Sequence, residues 1–276
     1  IPCSFAFQKQ GIWPCKKHIK KFKCIEEKRH KYQIKSLLKK DLKELFCLYQ
    51  PKLNLLDNSL SEFEALARIE YKNKIISPLF FIPLAEKFDL IHKIDYKIME
   101  LNMKLISELL NKNKDLEIKI SFNVSIKTLE RSDFIFEVTK LLKKYNLKGK
   151  YFEVEITETI LIKNLDLFLE KIIKLKELEL DVSLDDFTAG FSNFNLLALA
   201  PISKVKIDKS LLDNYNIKKG EIIYINLIKL INSLELCIVA EGVETESQLE
   251  FLKKQNINHA QGYLIGKPDL IEKFIL

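Results

Sequence analysis

Residues 151–187 read YFEVEITETILIKNLDLFLEKIIKLKELELDVSLDDF, and this stretch decides the fold of the chain. It contains two strand-like runs, Tyr151–Thr157 and Asp181–Phe187. Between them, Leu165–Leu178 has apolar residues at the i, i+3, i+4 and i+7 spacing of an amphipathic helix. Strands joined through a helix can run parallel. The stretch therefore predicts one strand–helix–strand unit of an α/β protein.

The same alternation continues on both sides of this stretch. Six further strand-like runs are Phe46–Leu53, Phe63–Ile69, Leu116–Val124, Lys204–Ile207, Cys237–Ala240 and His259–Leu264. Further amphipathic stretches are Phe134–Tyr145, Ile222–Leu234 and Glu246–Gln255. Eight mostly apolar strands with helices between them predict a (β/α)8 TIM-like barrel. A doubly wound open sheet is the alternative, but no Gly-x-Gly-x-x-Gly motif follows the first strand.

Length and charge divide the chain into two parts. The 276 residues are enough for one barrel-sized domain, which we place at residues 35–276. Residues 1–40 contain 12 Lys or Arg and two Asp or Glu, although the whole chain has a net charge of only +7. Nucleic acid or an anionic membrane surface could attract such a segment. We favour a solvated basic extension or linker at residues 1–34, and we expect no nucleic-acid partner.

The cysteines and the hydropathy pattern bear on location. The five cysteines are odd in number and contain no Cys-x-x-Cys motif, so we expect neither a disulfide framework nor a zinc site. No run of 18 or more apolar residues occurs, so no membrane-spanning helix is predicted. We expect a cytoplasmic protein, or the cytoplasmic part of a membrane-anchored one with a sensory or membrane domain upstream of this chain.

Acidic or amide residues lie at or near the ends of most predicted strands. Asp185 and Asp186 end the fifth run, and their adjacent carboxylates repel each other unless a cation lies nearby. The other runs carry Glu64, Asn123, Glu155 and Glu158, Lys206 and Asp208, Glu241 and Glu244, and Gln261. A barrel gathers the carboxyl ends of its strands at one face, so these side chains are predicted to form one site.

Several short motifs occur in a fixed order along the chain. They are Tyr49-Gln50-Pro51-Lys52, Glu64-Ala65-Leu66-Ala67-Arg68, Phe81-Ile82-Pro83-Leu84-Ala85-Glu86, Glu155-Ile156-Thr157-Glu158, Lys206-Ile207-Asp208, Glu241-Gly242-Val243-Glu244-Thr245 and Gln261-Gly262-Tyr263. With these motifs, residues 35–276 resemble the EAL-domain phosphodiesterases, which hydrolyse the bacterial second messenger cyclic di-GMP. The resemblance implies a metal-dependent hydrolase that opens cyclic di-GMP to linear pGpG and forms a homodimer.

The resemblance also implies a role for each site residue. The implied metal ligands are Glu64, Asn123, Glu155, Asp185, Asp186 and Glu241. Their oxygen atoms suit two Mg²⁺ or Mn²⁺ ions, which would activate the attacking water. Lys206, Glu241 and Gln261 correspond to catalytic positions, with Lys206 assisting that water. Gln50 and Arg68 correspond to substrate-binding positions, and Glu158, Asp208 and Glu244 to residues that organise the site and its loops.

One loop departs from the family's usual pattern. The family usually has Phe-Gly-Thr-Gly after the aspartate pair, whereas this chain has Phe187-Thr188-Ala189-Gly190. Thr188 is β-branched, so a positive φ at this position would store strain of about 1–3 kcal/mol in the loop. The alternative function is therefore a catalytically weak or inactive receptor for cyclic di-GMP.

Overall fold

The computed structural model describes residues 36, 41–157, 164–188 and 194–275. Its strands are β1 (Leu45–Asn54), β2 (Glu62–Tyr71), β3 (Lys74–Ile76), β4 (Lys119–Asn123), β5 (Phe152–Thr157), β6 (Asp181–Phe187), β7 (Lys204–Ile207), β8 (Cys237–Ala240) and β9 (His259–Gln261). Eight of them pair in the order β1-β9-β8-β7-β6-β5-β4-β2, and β1 also pairs with β2. The sheet therefore closes into the predicted barrel.

The first barrel strand runs against its neighbours. β1 pairs antiparallel with both β2 and β9, whereas all other neighbouring barrel strands are parallel. Residues 55–61 connect β1 to β2 without a helix, and such a short connection can join only antiparallel strands. The sequence did not predict β3, which extends β2 outside the barrel as a hairpin. Lys72 and Asn73 form its turn with φ of 52° and 59°, as a two-residue type I′ turn requires.

Helices cover the outside of the barrel. They are α1 (Pro78–Lys87), α2 (Ile91–Lys112), α3 (Ile126–Leu129), α4 (Phe134–Tyr145), α5 (Leu165–Glu177), α6 (Phe194–Leu199), α7 (Lys209–Leu212), α8 (Lys218–Ser233), α9 (Glu246–Lys253) and α10 (Glu272–Ile275). The four helices predicted by spacing are confirmed to within a few residues. α9 begins with a capping box in which Thr245 and Gln248 each bind the other's backbone amide. In the described part of the chain, no helix combines the length and the apolar character that crossing a bilayer requires.

The apolar core lies between the barrel wall and the helices. On β5, Phe152, Val154 and Ile156 are buried against this layer, and side chains such as Phe168 and Ile172 of α5 are buried there too. Each fully buried side chain of this size contributes about 1.5–3 kcal/mol. Since neighbouring residues of a strand point to opposite faces, Glu153 and Glu155 face the inside of the barrel. The barrel interior is therefore polar.

A buried carboxylate on α2 anchors the loop that follows β4. Asp95 accepts hydrogen bonds from the Ser125 amide at 3.1 Å and from Thr128 Oγ1 at 2.5 Å. Burial raises the pKa of Asp95 to about 6, although these hydrogen bonds oppose the rise. Protonated Asp95 is thus more favourable in the folded chain than in the unfolded one.

We expect the Asp95 carboxyl to stabilise the fold at low pH. Its contribution is fully present below its ordinary pKa of 3.8 and is lost as pH rises through about 6. Between pH 4 and pH 7, wild type should lose about 2–3 kcal/mol of unfolding free energy relative to Asp95→Asn. Denaturant unfolding across this pH range measures the difference. The exposed Asp115→Asn variant is the control and should follow wild type; identical curves for wild type and Asp95→Asn would contradict the expectation.

Candidate active site

Lys206 lies at the centre of the polar cluster inside the carboxyl end of the barrel. Its side chain is 1% exposed, and Nζ lies 2.8 Å from Glu155 Oε2 and from Asp185 Oδ1. Nζ also lies 2.9 Å from Glu241 Oε1 and 3.4 Å from Glu64 Oε2. Residues on β2, β5 and β6 and just after β8 thus converge on one ammonium group. The structure brings together most of the predicted ligands.

A distortion of β6 brings both aspartates to the same place. In a regular strand, Asp185 and Asp186 would point to opposite faces. Here Asp186 has φ 54°, and the pairing of β6 with β7 shifts register between Leu184 and Phe187. Such a bulge re-aims side chains. Carboxylate oxygens of Asp185, Asp186 and Glu241 consequently lie within 4.8 Å of one another.

Two amide side chains hold Glu64, and a third extends the cluster. Asn123 Nδ2 donates to Glu64 Oε1 at 3.1 Å, and Gln261 Nε2 donates to Glu64 Oε2 at 2.6 Å. Gln261 Nε2 also lies 3.2 Å from Gln50 Oε1, and Gln50 Nε2 donates to the Gly266 carbonyl at 3.1 Å. All six predicted metal ligands, together with Gln261 and Gln50, therefore lie in one connected cluster.

Other predicted site residues lie around this cluster. Arg68 is on the same face of β2 as Glu64, four residues or roughly 13 Å further along the strand. Asp208 accepts the Ser210 amide at 2.9 Å and caps α7, and Glu244 pairs with Lys209 at 2.5 Å. These two acids therefore hold the loops after β7 and β8. Glu158 lies outside the described residues.

The pKa shifts favour the charged forms of Lys206 and Glu155, whereas they disfavour the charged forms of the other acids in the cluster. Burial raises the pKa of Glu64, Asp185 and Asp186, and it raises that of Glu241 to about 8. Burial also opposes ionisation of Glu155, but Lys206 and Lys52 outweigh it and lower its pKa to about 2. Burial disfavours the charged form of Lys206, yet the surrounding carboxylates raise its pKa well above the usual value. Lys206 therefore stays protonated and can donate hydrogen bonds.

A second layer of charges lies deeper in the barrel, and the sequence interpretation missed it. Lys52 Nζ lies 2.8 Å from Glu155 Oε1 and 3.4 Å from Glu153 Oε1. Lys204 Nζ lies 2.7 Å from Glu153 Oε2 and 2.5 Å from Glu62 Oε2. The strand period of two could have revealed this layer, because a polar residue precedes most of the site residues by two positions. The pairs are 62/64, 121/123, 153/155, 183/185, 204/206 and 259/261.

The charge inside the barrel fits two divalent cations. Among the described residues, seven carboxylates in this interior face three lysines, Lys52, Lys204 and Lys206. The carboxylates are Glu62, Glu64, Glu153, Glu155, Asp185, Asp186 and Glu241. The formal excess is four negative charges, which is the charge that two divalent cations balance. Within the described chain, the buried Gln261 Oε1 also has no hydrogen-bond partner. The oxygen-rich donor set suits Mg²⁺ or Mn²⁺.

A cavity of about 340 Å³ opens beside this cluster. It is lined by Gln50, Glu64, Lys209, Glu241, Gly242, Glu244, Gln261, Gly262 and Tyr263. Gly242 has φ 68°, and a Cβ on Gly262 would lie 2.1 Å from the Val243 carbonyl oxygen, so both loops need glycine there. A larger cavity, of about 520 Å³, lies at the opposite end of the barrel near Ser61 and Lys119, away from the acidic cluster.

The chain belongs to the EAL domain family, whose model matches residues 34–268. It is 31% identical to a cyclic di-GMP phosphodiesterase of Pseudomonas aeruginosa, over 82% of this chain and 38% of that protein. The solved structure of the phosphodiesterase PaMucR in complex with c-di-GMP is 30% identical, with a TM-score of 0.81, and the match covers 88% of this chain and 100% of that one. The EAL enzyme Bd1971, bound to cAMP and cyclic di-GMP, is 26% identical with a TM-score of 0.81, over 91% of this chain and 69% of that one. The matched part of this chain spans 27–38% of the length of the first curated relatives.

Proposed function

We propose that this chain hydrolyses cyclic di-GMP to linear pGpG in a metal-dependent reaction. The observation that carries the proposal is the convergence of Glu64, Glu155, Asp185 and Glu241 on Lys206 at the carboxyl end of the barrel. Membership of the EAL domain family and the likeness to phosphodiesterases named for cyclic di-GMP support the substrate. The homodimer, the cytoplasmic location and the domain boundary after residue 34 stay predictions.

The proposed metal ligands are Glu64, Asn123, Glu155, Asp185, Asp186 and Glu241. Two bound Mg²⁺ or Mn²⁺ ions would supply an activated water and charge stabilisation for the leaving oxygen. The formal excess of four negative charges, counted with every carboxylate ionised, supports two ions rather than one. Both ions prefer oxygen ligands, so this donor set suits either of them.

The chain's own side chains position the reactants. Protonated Lys206 donates a hydrogen bond towards the attacking water and stabilises negative charge that develops at phosphorus. Its carboxylate neighbours raise its pKa, which favours the role of a hydrogen-bond donor over that of a base. Gln261 and Asn123 fix the orientation of Glu64 through their amide groups. We assign Arg68 to a phosphate and Gln50 to a nucleobase of the substrate, roles that the family resemblance suggests.

A product assay tests this proposal. The purified chain is incubated with cyclic di-GMP and Mn²⁺, and the nucleotides are separated by chromatography. We expect pGpG to form with Mn²⁺ and to be absent when a chelator is added. Measurable binding of cyclic di-GMP without any pGpG would contradict hydrolysis and favour the receptor.

The second candidate function is a receptor that binds cyclic di-GMP without turnover. The observation that favours it is the backbone of Thr188, which has φ 88°. This value lies in the region that glycine adopts readily and a β-branched residue does not. The loop that follows the aspartate pair therefore carries the strain that the sequence departure suggested. Ala189, the next altered position, lies outside the described residues.

Thr188→Gly tests whether this strain limits activity. Glycine should relieve about 1–3 kcal/mol of strain and lose part of that gain to its greater freedom in the unfolded chain. We expect a higher unfolding free energy and a higher kcat, measured by denaturant titration and by the pGpG assay. Thr188→Ala is the matched control, because its Cβ still opposes a positive φ. Unchanged stability and rate in the glycine variant would show that threonine is harmless here.

A further inference from the structure

Lys52 connects the deep charge layer to the site. It lies on β1 and is 1% exposed, and its Nζ contacts Ser121 Oγ at 2.8 Å as well as Glu155 and Glu153. Lys52 reaches the interior from a strand that runs opposite to its neighbours. Its ammonium group therefore enters the barrel beneath the acidic cluster. Among the described residues, Glu155 is the one proposed metal ligand that it contacts.

The two oxygens of Glu155 are held by two different lysines. Oε1 lies 2.8 Å from Lys52 Nζ, whereas Oε2 lies 2.8 Å from Lys206 Nζ. Glu155 is itself 0% exposed, so bulk solvent does not reach its carboxylate. We propose that Lys52 is a positioning residue that fixes Glu155 through Oε1 and thereby sets the affinity of the site for divalent cations. This inference rests on the proposed metal-dependent function.

The charge of Lys52 supports this role. Glu153 and Glu155 point to the same side of β5, two residues apart, and would repel each other without a cation between them. Lys52 lies within 3.4 Å of both carboxylates. Its ammonium group has three donors, which match Ser121, Glu153 and Glu155 as three acceptors. A neutral side chain of similar length would fill the space but would leave Glu155 Oε1 without this donor.

Lys204 provides a matched control within the same barrel. It is also buried and also pairs with Glu153, but its second partner is Glu62 rather than Glu155. Loss of Lys204 should therefore destabilise the fold as loss of Lys52 does, because each change leaves buried carboxylates without a partner. Of these two changes, the loss of Lys52 removes a direct contact to a proposed metal ligand, whereas Lys204 has no such contact among the described residues.

The test is calorimetric titration of Mn²⁺ into the full chain without substrate. We expect Lys52→Met to weaken Mn²⁺ binding by about 10- to 100-fold, the usual effect of removing a group that orients a metal ligand. Lys204→Met should stay within about threefold of wild type. The double variant Lys52→Met/Glu153→Gln removes the unpaired charge, so it keeps the test valid if the single variant does not fold. It should still bind Mn²⁺ about tenfold more weakly than wild type.

The outcomes separate this inference from the proposed function. If wild type binds Mn²⁺ and the double variant binds it equally well, Lys52 does not position Glu155. If Lys52→Met and Lys204→Met weaken binding to the same extent, both lysines act through stability alone and the inference is again overturned. If wild type itself binds no Mn²⁺, the proposed metal-dependent function fails, and the inference that rests on it fails as well.

Discussion

Replacing Glu64 with alanine is expected to abolish hydrolysis of cyclic di-GMP. Glu64 is buried, accepts hydrogen bonds from Asn123 and Gln261, and lies 3.4 Å from Lys206 Nζ. Its removal takes away a proposed metal ligand and releases both amides. The rate should fall by more than the roughly 10- to 100-fold that loss of a residue supporting a metal ligand costs. Initial rates of pGpG formation at saturating Mn²⁺ measure the effect.

Glu70→Ala is the control for this experiment. Glu70 lies on the same strand but is exposed, six residues beyond Glu64. We expect its rate to match that of wild type. Activity retained in Glu64→Ala would mean that the reaction takes place elsewhere in the molecule.

Lys206→Met is expected to lower kcat by about 100-fold or more, because it removes a charged donor from a buried site. Within the described residues, Lys206 is the one cation in contact with Asp185 and Glu241. The remaining carboxylates would then repel one another, so the metal-free variant should also unfold at a lower temperature.

Lys204→Met distinguishes catalysis from stability in this case. Lys204 is buried on the same face of β7, two residues away, and contacts no proposed metal ligand among the described residues. We expect its Tm to fall while kcat stays within a few-fold of wild type. Equal losses of kcat in the two lysine variants would show that Lys206 supports only the fold.

The sequence predicts the barrel because its strands and helices have different hydrophobic periods. The strands at Asp181–Phe187, Lys204–Ile207 and Cys237–Ala240 were predicted with the bounds that the structure shows. The direction of β1 was not predicted, since hydrophobic pattern does not report strand direction. β3 was missed because it has only three residues and lies outside the barrel.

The site was predicted from residue types at strand ends, and its geometry needed the structure. Adjacent carboxylates alone do not reveal the bulge that brings Asp185 and Asp186 together, because φ 54° at an aspartate depends on tertiary contacts. The lysines beneath the site were missed for a different reason. Lys52 and Lys204 resemble surface residues in a linear pattern, since buried lysines are rare. Their position two residues from other inward-facing side chains was the available signal.

The central claim is tested most directly by a single-turnover reaction in ¹⁸O-labelled water. The chain, in excess over cyclic di-GMP, is supplied with Mn²⁺, and the product is analysed by mass spectrometry. Attack of water at phosphorus forms one P–O bond and breaks the bond to the ribose 3′ oxygen. The account predicts linear pGpG with one ¹⁸O atom in its 5′-phosphate. Bound cyclic di-GMP that remains intact would contradict it.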